Sequence, residues 1–313
     1  MPSTMEALRT MHQEVTQGPD LSRSVVLIRL EQHSFGNSRK LRKSQYSVEG
    51  GDQSMTSASR RLLDSPELER TNARMASLRK YVQDQSLPFP IDGVYMMPLP
   101  KVEDVVFKID QLIEDIENAV TEFMATYRTR EQEAKQRNPG LYDPSDYPPE
   151  AEVRRKFSCY YNIVSIGVPE QQLKDRVDPA ILKKARQSSE RLWVDAAEMT
   201  RQMQAQIMFE MVENLRDKLT DDDATGKPRR FTNAIIDNLN DFMRNFEKSM
   251  NVTDYKQLEA LVKQGRALLN GTTLEDLKDS AKLRAKIKSD FAVIEKALVP
   301  MVGERKVRSA DEF

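Results

Sequence analysis

Apolar residues change period several times along this chain, and each change marks an expected element. Residues 1–20 carry Met5, Leu8, Met11 and Val15 at helical steps until "QGPD" breaks the pattern, giving a short helix or tail. Ser24–Leu30, "SVVLIRL", is a continuous β-branched run and predicts a strand. "SFGNS" supplies Gly36 and Asn37 for a turn, and "KLRKSQYSV" is the expected returning strand of a hairpin. Its Leu41, Tyr46 and Val48 do not alternate cleanly, as at a sheet edge protected by Lys and Arg. Met55, Ala58, Leu62 and Leu63 then fit one helix face up to "DSPE", where Pro66 opens a second helix carrying Leu68, Met75, Leu78, Tyr81 and Val82.

The strongest periodicity follows a proline-punctuated connection with an extended piece at Val94–Met97. Val102, Val105, Val106, Ile109, Leu112, Ile113, Ile116, Val120, Phe123, Met124 and Tyr127 recur every three or four residues, predicting one helix over 101–137. Ile109, Ile113, Ile116 and Val120 are its expected buried positions. "FSCYYNIVSIGVP" is a third strand, with residues 157–166 a candidate to join the sheet of the N-terminal hairpin. The remainder reads as helices over Pro179–Leu219, around Phe231–Phe246, in a helix that "NVTDYKQLEALV" opens with Thr253 as N-cap and "NGT" ends with an αL-type cap, and through Leu283–Leu298. The expected fold is α+β and helix-dominated, with a small antiparallel sheet packed on long antiparallel helices. The expected organisation is a tail at 1–22, an α+β region at 23–172, a helical region at 173–302 and a polar tail at 303–313.

Composition narrows the chemistry. A formal net charge of −1 means that polyanion binding would need local basic patches. The single cysteine, Cys159, excludes an intrachain disulfide and thiolate metal clusters. No apolar run approaches the ~20 residues that span a bilayer, and "MPSTMEALRTMHQEV" lacks the core of a signal peptide. A cytoplasmic location is expected.

Catalytic signatures fail one by one. The pair Gly226–Lys227 is followed by Pro228, where a phosphate-binding loop needs Ser or Thr for the metal ion. The histidines, His12 and His33, form no zinc-hydrolase pattern, and Cys159 reads as a small buried hydrophobe in a strand. The acidic run Asp221–Asp223 lacks the spaced ligands of a known cation loop. No cofactor is expected. What remains are candidate interaction residues. Arg39, Lys40, Arg42 and Lys43 form a basic cluster, with Phe35 and Tyr46 placed to stack on bases. Lys227, Arg229 and Arg230 form a second basic turn. Among Met199, Met203, Met208 and Met211, Met208 falls outside the face shared by Leu192 and Ala196 and is the candidate for a partner-facing methionine.

Several pieces in order, "FGNSRKLRKSQ", "LLDSPEL", "GVYMMPL", "YDPSDYP", "VRRKFS", "SIGVP", "GKPRRFTNAIIDNL" and "NVTDYKQLEALV", resemble an uncharacterised family, a domain of unknown function found in phages, plasmids and integrative elements. The resemblance covers nearly the whole chain and carries no catalytic residues with it. It implies a genomic setting beside a MoxR-type AAA+ ATPase and a von Willebrand A-type protein, hence a non-catalytic role next to a ring ATPase. The expected function is therefore an interaction or scaffold protein with a protein partner, a AAA+ ATPase being the first candidate. The alternative is a nucleic-acid-binding accessory protein that uses the basic turns at 39–43 and 227–230.

Overall fold

The computed structural model describes residues 21–168, 176–220 and 233–302. Strand β1 (Val25–His33) lies inside a four-stranded antiparallel sheet with β4 (Leu87–Pro88), β5 (Val94–Pro98) and β6 (Ser158–Val164), in the order β4-β5-β1-β6. β2 (Ser38–Lys40) and β3 (Ser59–Arg61) form a separate two-stranded ribbon. The hairpin expectation is corrected here. β1 pairs with β5 and β6, whereas the basic segment after the "SFGNS" turn pairs with β3. The helix expected from Met55 is also replaced: Met55 is 88% exposed, and Ser59–Arg61 is a strand. The helical spacing of four apolar residues was too short a signal to outweigh pairing with β2.

Both faces of β1 are covered over Val25–Ile28, which explains why "SVVLIRL" is a continuous apolar run rather than an alternating one. Val25 and Leu27, with Val94 and Met96, pack toward Leu192, Trp193 and Ala196 of α4 (Pro179–Lys218). Val26, Ile28 and Leu30, with Tyr95 and Met97, pack toward α1 (Pro66–Gln85) and α2 (Val102–Arg137). α1 starts where its sequence says it should. Ser65 Oγ accepts from the Leu68 amide at 3.2 Å, and Pro66 occupies the first helical position. Links from Glu67 to Arg130, Arg70 to Glu122 and Arg74 to the Asp115 carbonyl run in opposite directions along the two helices, so α1 and α2 are antiparallel.

α2 has 36 residues, about 54 Å at 1.5 Å per residue. It buries Val105, Ile109, Ile116, Ala119, Val120, Phe123 and Tyr127. Ile113 is only half-buried, at the margin of that stripe. Phe35, from the turn after β1, packs on Phe123 and Tyr127 with ring centroids 6.4 and 6.2 Å away, and those two rings lie 5.9 Å apart. A further short helix, α3 (Glu150–Arg155), leads into β6.

The C-terminal part is a second core. Met208, Val212 and Leu215 of α4 meet α5 (Asn233–Asn245), its π-helical continuation Phe246–Met250, α6 (Lys256–Leu269), α7 (Leu274–Asp279) and α8 (Ala281–Leu298). The expected Thr253 N-cap is not used. Thr253 is buried, and Asn251 Oδ1 accepts from the Tyr255 amide at 2.7 Å instead. Gly271, at φ +74, ends α6 in the left-handed conformation that "NGT" suggested. α7 was not anticipated: six residues give too short a period to read. A Cβ at Gly265 would come within 3.0 Å of Met243 Sδ, so α6 approaches its neighbours as closely as a glycine permits.

Candidate interaction surface

The basic cluster sits on the β2–β3 ribbon, and its four cations have different roles. Register places Arg39 directly opposite Arg60, a repulsive cross-strand pair in isolation. The Asp146 carboxylate accepts from both, at 3.1 Å from Arg39 Nε and 2.5 Å from Arg60 Nη2. Asp146 is held by the turn "YDPSDY", where Asp143 Oδ1 accepts from the Ser145 amide and Tyr147 donates to the Leu62 carbonyl. Asn37 closes the base of the ribbon, accepting from the Leu63 amide and donating to the Leu63 carbonyl. Arg39 is thus committed to structure.

Lys40, Arg42 and Lys43 remain exposed. They lead into the loop 41–58, which is shaped by its own bonds: Leu41 N to the Ala58 carbonyl at 2.8 Å, Tyr46 Oη to the Thr56 carbonyl at 2.6 Å, and Gln53 Nε2 to the carbonyls of Lys43 and Tyr46. Lys43 Nζ reaches the Ser54 carbonyl at 3.4 Å. Residues 38–61 hold six basic side chains and two acidic ones, so the ribbon and loop are locally cationic within a balanced chain. Met55 crowns the loop.

Other expected site residues fall elsewhere. Phe35 is 1% exposed and bound into an aromatic core, so it is unavailable to stack on bases. Met208 is fully buried in the second core, which corrects its reading as a partner-facing side chain; its neighbours come from α5, α6 and α8, none adjacent in sequence. Lys227, Arg229, Arg230 and the Asp221–Asp223 run lie outside the described residues. Cys159 is buried, and burial pushes its thiol pKa up. Gln32 Nε2 lies 3.7 Å from its sulfur. His33 pairs with Ser158, on the opposite face of the sheet from Cys159, so the two do not form a nucleophile and base.

Concave sites offer little reactive chemistry. A cleft of about 250 Å³ is lined by Arg61, Asp64, Arg130, Glu133 and Arg137, and each arginine already has a carboxylate partner. Arg130 also holds Glu67 at 2.9 Å and keeps its carboxyl at about 2, well below the usual range. A cleft of about 510 Å³ beside Asn240, Asn270 and Gly271 contains the Glu247–Arg266 ion pair. Among the described residues no group of three or more His, Cys, Asp or Glu side chains is placed to hold a metal ion. No described helix is long and apolar enough to cross a membrane.

No curated protein and no solved structure matches the chain. A family model described as "Protein of unknown function (DUF3150)" matches residues 22–263, a span that takes in the sheet, the basic ribbon, α4 and most of α6. The chain belongs to this DUF3150 family.

Proposed function

We propose that this protein is a non-catalytic interaction or scaffold protein, and that the braced basic ribbon is a docking surface for an acidic region of a protein partner. The observation that carries the reading is the division of labour among the arginines and lysines. One carboxylate, Asp146, fixes the ribbon, which leaves Lys40, Arg42 and Lys43 exposed on a loop shaped mainly by Leu41, Tyr46 and Gln53, with Lys43 adding one bond to the Ser54 carbonyl. A preshaped cationic loop loses less conformational entropy on binding than a free tail. The family resemblance adds a setting: a cytoplasmic component of a phage or other mobile element, with a MoxR-type AAA+ ATPase as the first partner to try.

The second reading is a nucleic-acid-binding accessory protein. The same three cations favour it, because phosphate contact needs charge and no pocket. The burial of Phe35 weighs against base stacking at this site.

The double change Lys40→Glu with Arg42→Glu separates these possibilities. Exposed charges contribute about 0–1 kcal/mol, so the variant should melt as the parent does. Co-purification with the ATPase or another neighbouring gene product should be lost. Steeply salt-dependent binding of DNA or RNA by the parent, abolished in the variant, would favour the second reading. Full retention of both activities would remove the ribbon from either role.

A further inference from the structure

The two edges of the main sheet are unlike. β4 has only two residues and ends in Pro88, a blunt edge that cannot template a further strand. β6 has seven residues, "SCYYNIV", with no charge among them, and among the described residues no strand pairs with its outer side. The Lys and Arg expected to guard a sheet edge are on the separate ribbon.

The hydrogen-bond phase of β6 follows from its neighbours. Leu99 N donates to the Ser24 carbonyl at 3.1 Å, so Ser24 bonds toward β5 and, by alternation, Leu27, Arg29, Glu31 and His33 bond toward β6. Their partners are Val164, Asn162, Tyr160 and Ser158. Cys159, Tyr161 and Ile163 therefore turn their N–H and C=O groups outward. Their side chains lie on the α2 side of the sheet, and Ile163 is 62% exposed.

α2 forms a ledge on that side. Cys159 and Tyr161 belong to the core that α2 covers, and the Glu117 and Asp110 carboxylates lie close enough to push up the pKa of the Cys159 thiol and the Tyr161 hydroxyl, after burial. Glu103, Phe107, Asp110, Glu114 and Glu117 follow at steps of three and four, one stripe of the helix. Arg154 pairs with Glu117. Glu103, Asp110 and Glu114 are exposed and have no ion-pair partner among the described residues, and Phe107 between them is 66% exposed.

We infer that the outer edge of β6 accepts an extended segment of a partner protein as a fifth strand, with basic side chains at alternate positions lying against the acidic ledge of α2. Main-chain bonds to Cys159, Tyr161 and Ile163 would hold such a strand, and the ledge would select its charge. A second copy of this chain fits less well, because two-fold pairing of β6 would bring two acidic α2 ledges to the same face. This surface is separate from the basic ribbon, which would repel the same segment, so the two proposals fail independently.

The probe is a labelled peptide of roughly nine residues alternating lysine with threonine, long enough to cover β6. Fluorescence anisotropy with the full chain should show binding that a glutamate–threonine peptide lacks. N-methylation of one alternate set of amides should abolish binding while methylation of the other set spares it: the lysine amides for an antiparallel strand, the threonine amides for a parallel one. Asp110→Lys with Glu114→Lys should weaken binding about tenfold, and Glu114→Lys alone by less. Lys40→Glu with Arg42→Glu should leave it unchanged. No binding, or equal binding of both methylated peptides, would overturn the inference, the latter by showing charge attraction without strand addition. A concentration-dependent dimer in sedimentation that Ile163→Lys dissolves would also overturn it, by giving the edge to a second copy.

Discussion

Asp146 stands between two guanidiniums that face each other across the ribbon, and one change tests whether it is a brace. Asp146→Ala leaves Arg39 and Arg60 opposed, with Arg60 only 13% exposed, and should cost about 1–3 kcal/mol in denaturant unfolding. Removing Arg39 in the same chain should recover part of that loss, whereas additive losses would show that the three residues act separately. Glu67 gives a residue-scale test in pH. Its carboxyl is held at about 2 in the fold against an ordinary 4.5, so the pair with Arg130 stabilises above about pH 4.5 and is lost as pH falls toward 2. The contribution is about 1–2 kcal/mol once solvent screening is discounted. Glu67→Gln should flatten the fall in urea midpoint between pH 5 and about 3; an unchanged slope would show that the pair contributes nothing there.

At the scale of elements, α6 depends on a close approach more than on propensity. Glycine inside a helix ordinarily costs about 0.5–1 kcal/mol relative to alanine. Gly265 is accommodated because Met243, Met208 and Phe291 fill the space a side chain would take. Gly265→Leu should therefore destabilise by about 1–3 kcal/mol despite leucine's better helix propensity, read as a lower melting temperature. A stabilised variant would mean that the helices can move apart at little cost. α4 shows the same dependence over 40 residues: its first half covers the sheet, and its second half enters the C-terminal core.

For the molecule as a whole, that continuous helix links two cores. Trp193, the one tryptophan in the chain, packs edge-on against Phe89 with centroids 5.3 Å apart, at the junction of sheet and α4. Its indole donates to the Ile166 carbonyl at 3.4 Å. Tryptophan fluorescence should consequently report unfolding of the junction, while far-UV circular dichroism reports all helices. Breaking α4 midway would expose apolar surface on both sides, so the two probes should share one midpoint in urea. A fluorescence transition well before the dichroism would show that the sheet separates from α4 while the C-terminal core stays folded.

The helices were legible because their cause is local. Ser65–Pro66, the long α2 period and Gly271 each specify backbone geometry within a few residues, and the structure has α1, α2 and the end of α6 where those signals lie. β1 and β6 were legible as strands from composition, and 157–166 as a candidate to join the sheet of β1, but register and the other partners were not. Pairing is a contact between distant segments, and only tertiary structure put β5 beside β1, set the register of β6 and sent the basic segment to β3. The same limit governed the candidate surface. Lys40, Arg42 and Lys43 could be picked out as a charge cluster, but nothing near them in the chain announces Asp146, 107 residues from Arg39. Met208 and Phe35 are apolar in any reading; whether such a side chain faces water or a core depends on which helices close over it. Sequence alone settled the long helices and the α+β class. The fold decided which charges were neutralised, which apolar side chains were covered and which strands flank β1, because those outcomes depend on burial and distance between residues far apart in the chain.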